Sequence, residues 1–413
     1  MKYFSLLALL IPLNVMPQID VDQYRQSVVE YSYTLKKDST AIDYALESYE
    51  VKRSNFFPSL TLSGSFTQQL RNVSGQEGWN FALQPQISQT IYSGGSVRAE
   101  AKKAALGVDI AQSDALYDLL EVRYTADYYF YALLAAHEYL DAVDQYVAII
   151  KSLKEVVQLR YDEGYISKSD LLMIETRLSE ALYQQIALRE DYTIALQKFN
   201  LLRGCAPQVV VEQIEVDVQS VLPPRRSSLE ELLARRPDYL STQLASQQAA
   251  YNVNIARAGY NPTVSIGVAG SWQPQTPNIN GSTIMDGSLF VRLSATIFHF
   301  GERGHTVKAY RALQQSSEIS VLSLIDDIRL EESNMWATLV DSRAQMEAAE
   351  RALVIGGENL EISTFSYSEG LTTILDVMQA QISWLQLYSN SIWSEFNYLV
   401  AISAYRRITV TLD

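Results

Sequence analysis

Apolar and polar positions along this chain follow two periods, and each period occurs twice. Leu60, Leu62, Gly64 and Phe66 alternate with Ser59, Thr61, Ser63 and Ser65. Trp79, Phe81, Leu83, Ile87 and Ile91 then alternate with Asn80, Ala82, Gln84, Gln86, Ser88 and Thr90. Farther on, Val264, Ile266, Val268 and Trp272 alternate with Ser265, Gly267, Ala269 and Ser271. Leu289, Val291, Leu293, Ala295 and Ile297 do so with Phe290, Arg292, Ser294 and Thr296. A period of two predicts strands with one apolar and one polar face, at about 59–68, 79–92, 263–273 and 287–299. Their lengths suit a tilted strand that crosses a bilayer. The connections Arg71–Gly78 and Pro274–Gly287 are polar and rich in Gly and Pro. Phe66, Trp79, Tyr92, Trp272 and Phe298 stand near strand ends, where an aromatic girdle at the lipid interface would place them.

The second period is helical. From Val97 through Ala101, Ala104, Val108 and on to Val157 and Tyr161, apolar residues step by threes and fours, with one extra four at Leu119. That is a heptad seam with one stutter. Some 65 residues at about 1.5 Å each predict a helix of about 100 Å. A mate of the same length runs from Glu302 to about Tyr367. Shorter helices are expected over Ile19–Asn55, Leu171–Leu202, Leu229–Arg257 and Val377–Arg407, with Ser228 and Glu231 as a capping box.

The elements repeat as a block. Tyr161, Glu163, Gly164 and Asp170 recur as Tyr367, Glu369, Gly370 and Asp376, at an offset of 206 residues. The same offset relates Ser88, Thr90, Ile91, Gly95 and Lys102 to Ser294, Thr296, Ile297, Gly301 and Lys308. Phe57-Pro58 matches Asn261-Pro262. A constant offset means that the intervening segments have equal lengths. Long packed helices enforce this, because one inserted residue turns every later side chain by about 100°. The chain therefore divides into a first repeat over 19–205, a linker over 206–227 and a second repeat over 228–413. In each repeat a turn, at 161–170 and 367–376, separates the long helix from a return helix.

Composition narrows the function. Formal charge is −14, which argues against nucleic acid as a partner. One cysteine, Cys205, excludes an intramolecular disulfide, and three histidines argue against a His-rich metal or catalytic centre. No cofactor or metal site is expected. Glu163 with Asp170, or Asp326 with Asp327, are carboxylate pairs without a nucleophile or histidine at useful spacing, and read as solvated helix charges. Lys2 followed by an apolar run to Val15 reads as a secretory signal peptide over residues 1–18.

Four amphipathic strands cannot close a membrane barrel alone, and open sheet edges are not tolerated in lipid. Three chains would pool twelve strands and surround a channel. The expected fold is thus mainly α with a membrane β-barrel: a tandem-repeat protomer that completes a trimeric twelve-stranded barrel and a helical tunnel.

With these residues in view the chain resembles the TolC-like outer-membrane efflux proteins over essentially its whole length. The match rests on the tandem unit, Phe57-Pro58 before the first strand, and Gly95 and Gly301 at strand-to-helix joins. It rests also on Leu232-Leu233-Ala234-Arg235-Arg236-Pro237-Asp238 and on the turns Arg160-x-x-x-Gly164 and Ser366-Tyr367-x-x-Gly370, each with Asp six residues on. The resemblance implies a homotrimer in the outer-membrane lipid of a Gram-negative bacterium, with its tunnel in the periplasm. It implies as partners a periplasmic adaptor (membrane fusion protein) and an inner-membrane transporter of RND or ABC type. It places Arg160, Gly164, Ser366 and Gly370 at adaptor-docking tips, and Tyr161, Asp170, Tyr367 and Asp376 at a periplasmic gate. Pro58, Gly95, Pro262 and Gly301 become strand-helix junctions. The family pattern puts an Arg two residues after the second glycine and an acid three after the second Asp. Here those positions are Thr372 and Gln379, so an ionic lock is not expected in that form, with Lys168 as a possible substitute. The bland reading of the same residues is helix capping by Gly164, Gly370, Asp170 and Asp376. Three alternatives to passive efflux stand beside it: the outer channel of a type I protein secretion system, a trimeric coiled-coil stalk without a pore, and, more distantly, an enzyme.

Overall fold

The computed structural model describes residues 19–68, 79–209, 221, 223–273 and 284–411. The signal peptide, most of both strand-to-strand connections, the centre of the linker and the Trp79 side chain lie outside the described residues. The element order is α1 (Val21–Tyr31), α2 (Tyr33–Ser54), β1 (Ser59–Gln68), β2 (Trp79–Ser93), α3 (Ser96–Asp162) and α4 (Lys168–Leu202). Then follow α5 (Leu229–Arg235), α6 (Pro237–Ala258), β3 (Thr263–Gln273), β4 (Ile284–Ser294), α7 (Glu302–Ser368) and α8 (Ile374–Ile408). The long helices α3 and α7 both have 67 residues, and the return helices α4 and α8 both have 35, so these helices of the two repeats are equal in length. Among the described residues no helix is long and apolar enough to cross a membrane.

Contacts divide the chain into two compact units. One comprises residues 34–117 and 233–329 and holds the sheet. Its strands are antiparallel in the order β1-β2-β3-β4. Register sets Leu60 opposite Ile87, Leu83 opposite Trp272, Val268 opposite Leu289 and Ile266 opposite Val291 on one face. The other face pairs Thr61 with Gln86, Ser88 with Gly267 and Ser265 with Arg292. The apolar face is open: Leu60, Leu62, Phe66, Leu289, Val291 and Leu293 are all largely exposed. A bulge in β2 between Thr90 and Tyr92 returns Tyr92 to the apolar side.

The fourth strand differs from the expected 287–299. It starts at Ile284, because Asp286-Gly287 reads as a turn but pairs with Ser271 and Gly270. It ends at Ser294, opposite Thr263, the first residue of β3. Pro262 precedes Thr263 and has no N–H to extend the ladder. Phe298 is therefore beyond the strand, not in it.

The other unit comprises 19–33, 118–232 and 330–411 among the described residues and is helical. One core joins Val143, Tyr146, Val147, Ile150, Leu153 and Val157 of α3 to Leu171 and Ile174 of α4 and to Tyr367, Ile374, Val377 and Leu385. All of these α3 positions except Tyr146 are those of the seam. A second core stacks Tyr24 of α1 on Phe199 of α4 at 4.0 Å between ring centroids, beside Phe130 and Leu133. Two expected helices are each split. Ser32 is extended, at φ −49° and ψ 120°, and separates α1 from α2. Arg236, at φ −70° and ψ 122°, separates α5 from α6, because the following Pro237 drives it out of the helical region. The box of Ser228 and Glu231 is formed, with Glu231 N donating to Ser228 Oγ at 3.3 Å and Ser228 N to Glu231 Oε2 at 3.2 Å.

Candidate functional site: tip turns and strand junctions

The two turns that end the long helices have the same construction. Gly164 has φ +79° and Gly370 φ +77°, the left-handed region that glycine enters without a Cβ penalty. Gly164 N donates to Tyr161 O at 2.9 Å and Tyr165 N to Arg160 O at 2.9 Å. Gly370 N donates to Tyr367 O at 3.0 Å and Leu371 N to Ser366 O at 2.8 Å. This pair of bonds is the Schellman closure of a helix C-terminus. Nothing lies within 4 Å of a Cβ built on either glycine. The residue that follows is apolar and exposed in both turns: Tyr165 and Leu371 are each 78% exposed.

The next helix opens on a capping box in both repeats. Ser167 Oγ accepts from Asp170 N at 3.3 Å, and the Asp170 carboxylate accepts from Ser167 N at 3.1 Å. Thr373 and Asp376 repeat this, at 3.4 Å and 3.0 Å. Both Asp side chains thus sit at the third helical position and cap back, while Ser167 and Thr373 are the N-caps. Asp376 also accepts from Thr373 Oγ1 at 2.6 Å and Thr372 Oγ1 at 2.7 Å. These donors, the Thr373 hydroxyl first, hold its carboxyl below the usual range. Thr372, in the place where the resemblance expects Arg, is therefore committed to Asp376. Lys168 has no ion pair among the described residues of the chain.

The strongest link between the two turns comes from Arg160. Its guanidinium lies 4.7 Å from the centre of the Tyr367 ring, and Nη2 donates to Ser368 O at 2.7 Å. Tyr367 is only 4% exposed. Burial raises its hydroxyl pKa, while Arg160 opposes that rise. Tyr161 packs half-buried against the same core. Arg160, which the resemblance puts at a docking tip, thus clasps one repeat to the other. Its counterpart at the 206-residue offset, Ser366, has neither the reach nor the charge.

In the sheet-bearing unit Phe66, Tyr92, Trp272 and Phe298 are exposed, and the Phe298 and Phe300 rings meet at 4.9 Å. Gly95 and Gly301 take φ +95° and +82° where the chain turns into α3 and α7. The tighter position is their neighbour Gly94, which the sequence reading passed over. A Cβ there would lie 2.6 Å from Asn261 Cβ and 2.6 Å from Ala258 O, and Asn261 Nδ2 donates to Gly94 O at 3.3 Å. The signal was present in the Gly94-Gly95 pair. Among the described residues no group of His, Cys, Asp or Glu could hold a metal ion.

This arrangement has known relatives. The outer membrane protein TolC of Vibrio cholerae is 20% identical over 386 residues, 90% of this chain and 86% of that protein. The alkaline protease secretion protein AprF of Pseudomonas aeruginosa is 24% identical over 275 residues, 64% of this chain and 56% of that protein. The CmeC outer membrane channel of Campylobacter jejuni superposes with a TM-score of 0.83 at 17% identity, covering 94% of this chain and 85% of that one. The outer membrane efflux protein family matches residues 25–204 and 228–395, nearly the whole of both repeats. The chain belongs to that family, and is a TolC-like protein of the Gram-negative outer membrane.

Proposed function

We propose that this protein is the passive outer-membrane exit duct of a tripartite efflux pump, passing small molecules delivered by an inner-membrane transporter through a periplasmic adaptor. The observation that carries this reading is the sheet. Four antiparallel strands have one exposed apolar face, one polar face and two unpaired edges, β1 and β4. In lipid such edges must be paired, and three chains joined β4 to β1 close twelve strands around a polar lumen. The helical hairpins then line the periplasmic passage, and the tips present Gly164 with Tyr165, and Gly370 with Leu371, to the adaptor.

Purified protein in planar bilayers should give discrete conductance steps; a well-folded trimer that stays silent would instead be a stalk. Cysteines at Gly164 and Gly370 should crosslink to the adaptor in cells, and crosslinking only from the strand end would overturn the tip assignment. The likeness to AprF supports a second reading, the outer channel of a type I secretion system. Deletion separates the two: efflux predicts sensitivity to small toxic compounds, secretion predicts loss of one exported protein.

A further inference from the structure

The four strands carry only two charged residues, Asp286 and Arg292, both in β4 and both on the polar face. Asp286 lies at the start of β4 and its carboxylate accepts from Gly287 N at 2.8 Å. Arg292 lies six residues away, about 20 Å along the strand, at the end that leads into α7. Its cross-strand partner is Ser265, which in turn pairs with Thr90. The strand that would close the barrel against β4 is β1 of the next copy, Ser59–Gln68, which has no charge. No neighbour in the barrel wall therefore neutralises Arg292.

Its position is also fixed. The guanidinium lies 5.1 Å from the centre of the Phe290 ring. That ring occupies the space above Gly267, where a Cβ would stand 2.5 Å from Phe290 Cζ and too close to the Ile87 carbonyl oxygen. Gly267 is the cross-strand partner of Phe290, so the strand leaves out one side chain to seat the aromatic ring. Arg292 itself is exposed.

We propose that Arg292, seated on Phe290, is a selectivity-determining residue of the duct. Three copies form a cationic ring at the helix-proximal end of the barrel, about 20 Å along the strand from Asp286, the only other charged strand residue on the polar face, and the ring favours anionic over cationic solutes. The inference rests on the channel reading above. Three charges about 10 Å from the axis of a water-filled lumen, screened over a Debye length of about 10 Å, shift each ion's local concentration about twofold in opposite directions and so alter the anion-to-cation ratio by about fivefold.

The test is the reversal potential of single channels in a KCl gradient. Arg292→Gln should lower chloride permeability relative to potassium by about fivefold, Arg292→Glu by about twentyfold, and Arg292→Lys should leave it near the starting value. To remove any effect on assembly, Arg292→Cys in a Cys205→Ser background is inserted first and modified afterwards, Cys205 being the sole native cysteine. A cationic thiosulfonate reagent should restore the wild-type ratio and an anionic one should lower it further. A conducting wild type whose ratio ignores all these changes overturns the role of Arg292 alone. A wild type that does not conduct overturns the channel reading and this inference with it.

Discussion

Arg25 of α1 and Asp127 of α3 form a buried ion pair whose two halves should respond unequally to mutation. Their side chains are 9% and 7% exposed. Arg25 Nε donates to Asp127 Oδ1, and Nη2 to Asp127 Oδ2 at 3.0 Å. Burial alone would lower the Arg25 pKa, but the Asp127 bond and charge raise it overall, so the guanidinium stays charged. Arg25 has a second partner in Asp22, whose side chain is 70% exposed. Arg25→Met leaves the Asp127 carboxylate buried and without its cation, a change that typically costs about 3–5 kcal/mol. Asp127→Asn leaves Arg25 paired with Asp22, and should cost about 1–2 kcal/mol. The double variant Arg25→Met, Asp127→Leu removes both charges and should lie within about 1 kcal/mol of wild type. The carboxylate left alone in Arg25→Met binds a proton more tightly in the folded state than in the unfolded one. Its penalty is therefore absent at low pH and grows as pH rises through the folded value. The assay is urea unfolding of the detergent-solubilised protein followed by circular dichroism at 222 nm, at fixed concentration and at pH 5 and 8. Equal losses for the two single variants, or a double variant as unstable as Arg25→Met, would refute the argument.

Other expectations follow from the same structure. Burial, with Glu138 and Glu350 nearby, pushes the Glu395 carboxyl up to about 7. Its charged form is thus disfavoured in the folded state, and wild-type stability should fall as pH rises from about 5 to 8. Glu395→Gln should flatten that fall and gain about 1 kcal/mol at pH 8, a figure discounted for its partial exposure. Asp376→Ala should fray the start of α8, seen as faster amide hydrogen exchange there; unchanged exchange would mean that Thr373 caps alone. Because the Asp376 carboxyl titrates below its usual range, the same fraying should appear in wild type only as pH falls through that lowered value. Gly370→Ala, at φ +77°, should cost about 1 kcal/mol with no loss of packing, whereas no measurable cost would refute the left-handed cap.

Much of the architecture was legible because length is conserved where helices pack. The offset of 206 residues is reproduced by α3 and α7, each of 67 residues, and by α4 and α8, each of 35. Strands were legible because the period of two admits no competing helix face. What the pattern missed depends on backbone events that hydrophobicity does not encode. Arg236 breaks its helix through the ring of Pro237, a signal that was present but outweighed by the apolar spacing. Ser32 breaks its helix with no comparable cue. At the tips, the residue types Asp, Gly and Tyr were found, but the Arg160 contact joins residues 208 apart and leaves no trace in local spacing. Gln381 was likewise invisible: it is fully buried with neither amide atom bonded, while its counterpart Glu175 pairs with Lys154 at 3.0 Å.

The Arg160 clasp has a consequence for symmetry. In the proposed trimer, a chain made of two similar repeats would offer six similar seams around the axis. An ancestral chain with a single repeat would have carried the same residue at every seam, and any clasp would have been sixfold or absent. With both repeats in one polypeptide, position 160 is independent of position 366, and only the first is arginine. The seam inside the chain is joined by Arg160, Tyr367 and Ser368, while in the proposed trimer the equivalent seam between copies would have Ser366 where the arginine stands. In that trimer the tandem repeat would halve the rotational order of the ring and let its seams alternate in strength, a pattern that no homohexamer of identical single repeats can encode.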